Sequence, residues 1–160
     1  MIPDIYKVTT LGNGALFVMP RPSGCWLREE IQHYARLGIS HVVSHLEHHE
    51  QVELNLEDEQ SLLESAKLRF TSYPIKDRGL PQIGKYRPFI EHLYHQIIAG
   101  AQVAVHCRAG IGRTGITACC LLITGGYDSD TAISAVSASR RVQIPDTEEQ
   151  QAFIHHFKHS

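Results

Sequence analysis

One segment concentrates the side chains best suited to chemistry: His106-Cys107-Arg108-Ala109-Gly110-Ile111-Gly112-Arg113-Thr114-Gly115. An alternating apolar run, 102–107, leads into it and an apolar helical pattern leads out, so a strand feeds the segment and a helix leaves it. Five residues lie between Cys107 and Arg113, enough for the chain to curl round a tetrahedral oxyanion with successive backbone N–H groups turned inward. The positive end of the following helix adds to such a cradle. Gly110 and Gly112 allow backbone angles that a Cβ would resist, and the planar fork of Arg113 can grip two oxygens of one anion. The same positive surroundings favour Cys107 as a thiolate, the form that attacks. Thr114 stands ready to donate its hydroxyl to that sulfur. The chemistry implied is displacement by sulfur on a phosphate- or sulfate-type anion held by Arg108, Ala109, Gly110, Ile111, Gly112 and Arg113.

A second reading takes Gly110-x-Gly112-x-x-Gly115 as a dinucleotide-binding turn. That requires another strand after the helix, ending in an acidic residue about 20 positions on. Asp128 and Asp130 stand near that distance but open a further helix, so the requirement is not met.

A sheet must hold such a loop in place. Residues 15–19, 40–45, 67–73 and 102–107 read as strands; 25–37, 55–66, 84–99, 112–124, 128–139 and 147–158 read as helices. Alternating strands and helices predict an α/β fold, with a central, mostly parallel sheet of four to five strands flanked by helices and a helical C-terminal third. Ligands in such sheets gather beyond the carboxyl ends of the strands, which selects residues 44–50, 74–81 and 106–114. Sulfur attack at phosphorus needs a proton for the departing oxygen, and Asp77, in a turn bracketed by Pro74 and Gly79, is the candidate donor. Lys76 and Arg78 read as residues that keep this turn solvated. His106 reads as a buried, hydrogen-bonded support for the loop rather than a base. Glu47 and Glu50 reach the rim of the site, where orienting the loop arginine or turning away acidic substrates is open to them, and an exposed, acidic helix start is the commoner reading.

The motif resembles HCxxGxxR[ST], the signature of the cysteine-based protein tyrosine phosphatase superfamily. The likeness extends through GALFVMPRP, HVVSHLEHHE and the Tyr73–Gly79 stretch, and the small size resembles the dual-specificity branch. Within it, the chain is most similar to small stand-alone bacterial members and to phosphatases acting on cyclin-dependent kinases. The resemblance implies a protein tyrosine phosphatase-like fold and hydrolysis through a phosphocysteine intermediate. It makes Asp77 the general acid, carried on a movable loop. It assigns Gln150, near a late helix, to placing the water of the second step, although Thr147…Gln150 is equally a capping-box pattern. The implied partner is a phosphorylated protein or peptide, with phosphotyrosine first and phosphoserine or phosphothreonine second. The loop lacks the lysines that phosphoinositide phosphatases of this superfamily tend to carry. Still open are a silent phospho-residue binding module, a sulfur-transfer enzyme of the rhodanese type, and a phosphoinositide or RNA 5′-phosphate substrate.

Composition narrows the remainder. With 160 residues, 42% hydrophobic and 20% charged, the chain reads as one soluble domain over residues 1–160. A net charge of −2 removes the electrostatic case for nonspecific nucleic-acid binding. The longest run free of Asp, Glu, Lys, Arg and His, Thr114–Tyr127, is too short and too rich in glycine to span a bilayer, so no membrane association is expected. Residues 1–10 show no secretory pattern, and Cys25, Cys107, Cys119 and Cys120 show no metal-type spacing, so a reduced, cytoplasmic protein is expected. No metal and no cofactor is called for. Cys119 and Cys120 read as core, while Cys25 stays open as a redox partner of Cys107.

Overall fold

In the computed structural model, which describes residues 3–158, five strands form one sheet: β1 (Tyr6–Leu11), β2 (Gly14–Met19), β3 (His41–Ser44), β4 (Arg69–Ser72) and β5 (Gln102–His106). Their spatial order is β1-β2-β5-β3-β4. Only β1 runs antiparallel, against β2; the other pairs are parallel. Register then fixes the working edge. His106 pairs with Met19 on one side and Ser44 on the other, and Ser44 pairs with Ser72. The four parallel strands therefore end together, and the loops after them emerge at one place.

The two-residue period of the strands splits the interior into two cores. Leu16, Val18, Val43, Val103 and Val105 face one side. There they meet buried residues of α4 (Ile83–Ile98), α5 (Arg113–Thr124), α6 (Ser129–Arg140) and α7 (Glu148–His156). Met19, Val42 and Ala104 face the other side, against α1 (Leu27–Arg36) and α3 (Glu59–Ser65). Each fully buried aliphatic side chain contributes roughly 1.5–3 kcal/mol. Helix α5 is buried along almost its whole length, which explains the lack of a polar face from Ile116 to Ile123. No helix among the described residues is long and apolar enough to cross a membrane.

Two elements escape the sequence reading. Strand β1 has no clean alternation because its register against β2 shifts between Lys7 and Thr9, which reverses the phase of the apolar positions halfway along. The short helix α2 (His48–Glu53) carries little apolar periodicity and is held by a capping box between Glu47 and Glu50. The helix expected over 55–66 begins only at Glu59, since Asn55 sits at a φ of 58° and interrupts it.

Candidate active site

The loop after β5 is built to leave donors unspent. No backbone N–H from Arg108 through Thr114 has an acceptor among the described residues, while the carbonyls around them are tied elsewhere. The Arg108 carbonyl accepts from the Arg21 N–H at 3.0 Å, the Ala109 carbonyl from Arg140 Nη2 at 2.8 Å, and the Ile111 and Gly112 carbonyls from the first turns of α5. Anchoring the carbonyls in this way leaves the amides free for an anion at the helix start. Gly110 makes the turn possible. Its φ is 75°, and a Cβ there would lie 2.4 Å from the Met19 carbonyl oxygen. Cys107, at the head of the loop, is buried.

Arg113 is 1% exposed and closes the loop. Its Nη1 donates to Glu50 Oε1 at 2.7 Å and to the carbonyls of Ile75 at 2.8 Å and His45 at 3.3 Å. Nη2 donates to Glu50 Oε2 at 2.9 Å and to Asp77 Oδ1 at 3.1 Å. The Nε–H has no acceptor among the described residues, so an oxyanion can take that donor and, once Asp77 yields, Nη2 beside it. The Arg108 guanidinium is held by Glu50 and Glu53, each at 2.8 Å, so this residue offers the cradle its backbone N–H.

Glu50 thus anchors both arginines of the loop. It is buried, not part of the exposed helix start expected from its acidic neighbourhood. Burial raises its pKa, but hydrogen bonds from Arg113, the Glu47 N–H and Arg108 outweigh that and hold the carboxyl at about 2. A folded-state pKa below the ordinary 4.5 means stability present above pH 4.5 and lost as pH falls towards 2, worth about 3 kcal/mol in full. In urea titrations, the stability gap between wild type and Glu50→Gln should narrow steadily from about pH 5 to about pH 2.5. A constant gap would mean that the carboxylate's charge contributes nothing.

Asp77 is brought to the site by the strand edge. His45 lies just beyond β3 on the same sheet face as Val43, and it links three elements. Its Nδ1–H donates to the Tyr73 carbonyl at 2.7 Å. Its Nε2 accepts from the Thr117 hydroxyl at 2.7 Å, and that oxygen accepts from the Tyr86 hydroxyl at 2.6 Å. Complete burial holds the ring neutral, at a pKa of about 4, which fixes these directions. The His45 carbonyl also accepts from the Ile75 N–H at 3.0 Å, so the segment leading to Asp77 is tied to α5 behind the loop.

Gln150 forms the capping box that its spacing predicts, with Thr147 at the start of α7, and its Nε2 donates to the Gly79 carbonyl at 3.2 Å. A Cβ on Gly112 would lie 3.0 Å from Gln150 Oε1 and 2.8 Å from Asp146 Oδ2, so both side chains overhang the loop. Thr114 Oγ1 is buried without a hydrogen-bond partner among the described residues. Its expected donation to the sulfur is therefore not formed, and the donor stays free. His106 is fully buried and supports the loop, its Nδ1 lying 3.2 Å from the Cys107 carbonyl oxygen. Burial pushes the thiols of Cys119 and Cys120 up, in keeping with core residues, whereas Cys25 is exposed and all four cysteines are free.

The sequence reading missed the roles of His45, Thr117, Tyr86 and Glu59. Glu59 carried one usable signal: it stands three residues after Leu56 and four before Leu63, in the apolar stripe of its helix.

Known proteins show the same frame. A kinase-associated phosphatase carrying a serine in place of its catalytic-site cysteine superposes with a TM-score of 0.86 at 18% identity, over 97% of this chain and 93% of that one. TpbA of P. aeruginosa in complex with pTyr gives 0.65 at 18% identity over 94% and 89%. PTPMT1 in complex with PI(5)P gives 0.74 at 16% over 94% and 92%. At such identities the likeness is one of fold. In sequence, mouse cyclin-dependent kinase inhibitor 3 is 29% identical over 87 residues, 54% of this chain and 41% of that protein, so the match spans less than half of the relative. The PTP-SAK family model, described as "Swiss Army Knife protein, DSP-PTPase phosphatase domain", matches residues 8–158. Nearly the whole sheet, the amide-lined loop and the segments that hold it fall inside that match, and the chain belongs to this family of dual-specificity-type phosphatase domains.

Proposed function

We propose that the chain hydrolyses phosphomonoesters through a phosphocysteine, with phosphotyrosine in proteins as the first substrate class and phosphoserine or phosphothreonine as the second. The row of uncommitted amides from Arg108 to Thr114, closed by Arg113, carries this reading. The sulfur of Cys107 attacks phosphorus as the ester P–O bond breaks, and Asp77 delivers its proton to the departing oxygen. The amides and Arg113 hold the equatorial oxygens, whose charge they offset without a metal. Water placed by Gln150 then attacks phosphorus, Asp77 takes its proton, and the S–P bond breaks, with Thr114 Oγ1 free to donate to the leaving sulfur.

A phosphoinositide is the second reading, because one structural neighbour was captured with PI(5)P. Loop positions Ala109, Ile111 and Gly112 offer no lysine for additional phosphates. Phosphate release from a phosphotyrosine peptide, a phosphothreonine peptide and PI(5)P, measured side by side in chelator, ranks the three. Retention of phosphopeptide with no release from any of them would make the chain a binding module. Asp77→Asn should lower kcat/KM, which reports only the step that forms the phosphocysteine, about 100-fold on phosphotyrosine peptide and far less on para-nitrophenyl phosphate, whose leaving group needs little protonation. Equal losses on both would assign Asp77 to binding instead.

A further inference from the structure

We propose that Glu59 is a positioning residue for the nucleophile and acts on it through His106, a proposal resting on the reading of Cys107 given above. His106 closes β5, and strand alternation turns its ring to the α1 and α3 side of the sheet, the side of Ala104. There its Nε2 lies 2.6 Å from Glu59 Oε2, with the two side chains 0% and 2% exposed. On its other edge, Nδ1 faces the Cys107 carbonyl oxygen at 3.2 Å. A carbonyl and a carboxylate both accept. With Glu59 ionised, the two hydrogen bonds coexist only when the ring carries both protons, the second shared with Glu59 across the short contact. The pair then has its positive end beside Cys107 and its negative end on α3, in surroundings that screen charge poorly.

Other charged and titratable groups near the pair do not substitute for Glu59. From α1, Tyr34 is buried beside Glu30 and Glu59, and burial first, then those carboxylates, push its hydroxyl up. Glu30 accepts from the Ser23 N–H at 3.0 Å. From beyond β3, His45 is committed to Tyr73 and Thr117, and from the loop Arg113 is committed to Glu50 and Asp77. Glu59 Oε1 is itself buried without a partner among the described residues. A buried carboxylate with a bare oxygen is a poor source of stability, since an apolar residue in its place is often as good or better. Its effect is assigned to the charge beside Cys107.

The test is iodoacetamide alkylation of Cys107, followed by peptide mass spectrometry to separate it from Cys25, together with kcat/KM on para-nitrophenyl phosphate. In Glu59→Gln, alkylation should slow about tenfold near pH 6 and hardly at all near pH 8.5, with kcat/KM falling in parallel. His106→Asn should slow it by a similar factor, and adding Glu59→Gln to that variant should change nothing further. Unchanged alkylation in Glu59→Gln, equal slowing at both pH values, or additive losses in the double variant would each overturn the proposal. If Glu59→Gln does not fold, as judged by circular dichroism, His106→Asn decides alone, and unchanged alkylation there overturns it. Alkylation reads the thiol without turnover, so a Cys107→Ser protein that still hydrolysed phosphate would sink the catalytic reading and leave this measurement standing.

Discussion

Cys107→Ser should keep the fold, retain phosphopeptide and release phosphate at least about 10⁴-fold more slowly than wild type. The expectation follows from what the exchange leaves alone. The loop carbonyls stay anchored by Arg21, Arg140 and α5, so the amides still meet the anion. Arg113 keeps Glu50 and its free Nε–H. What disappears is the one atom able to form and later release a bond to phosphorus at neutral pH, since a serine hydroxyl in the same place keeps its proton there. His106 cannot take it, because both of its ring nitrogens are turned to Glu59 and the Cys107 carbonyl. Rapid quench with labelled substrate should trap phosphate on wild-type Cys107 and none on the variant. Turnover within tenfold of wild type in Cys107→Ser would end the phosphocysteine mechanism.

Arg113→Lys should be the most damaging single exchange that preserves charge, because this side chain serves both the anion and the fold. A lysine has no planar fork. It cannot address both Glu50 oxygens, the Ile75 carbonyl and Asp77 together, as the guanidinium does at 2.7–3.1 Å. We expect kcat/KM to fall by about 10³-fold or more, as when an oxyanion donor is withdrawn. Unfolding stability should fall by about 2 kcal/mol, the scale of leaving buried acceptors such as the Ile75 carbonyl without their donor. Activity assays and urea titration of the same preparation check both. A variant that kept either property intact would show that the Glu50 pairing, rather than the fork, is what matters.

The part of the site that is contiguous in the chain is legible from the order of its residues alone. Cys107, Gly110, Gly112 and Arg113 stand in one loop, so their spacing carries the information. Asp77 is legible at one remove, as an acidic turn beyond a strand expected to end at the same edge. Glu50 is legible as a residue at the rim of the site but not as a buried anchor, and His45 and Glu59 are not legible, because nothing local marks their partners. Their partners arrive only once β5 is inserted between β2 and β3, which sets His106 beside Ser44 and brings helices α2 and α3 against the loop. The parallel sheet is legible because its strands are short apolar runs, whereas β1 is hidden by its own bulge.

The amide of Gln150 has one further consequence. One end of it closes the first turn of the last helix and the other holds Gly79, just past Asp77. The acid-bearing turn and the chain's final helix are thus stitched by a single side chain. Loosening the tail would slacken the turn, and clamping the turn on a bound phosphate would in the same motion quieten the tail.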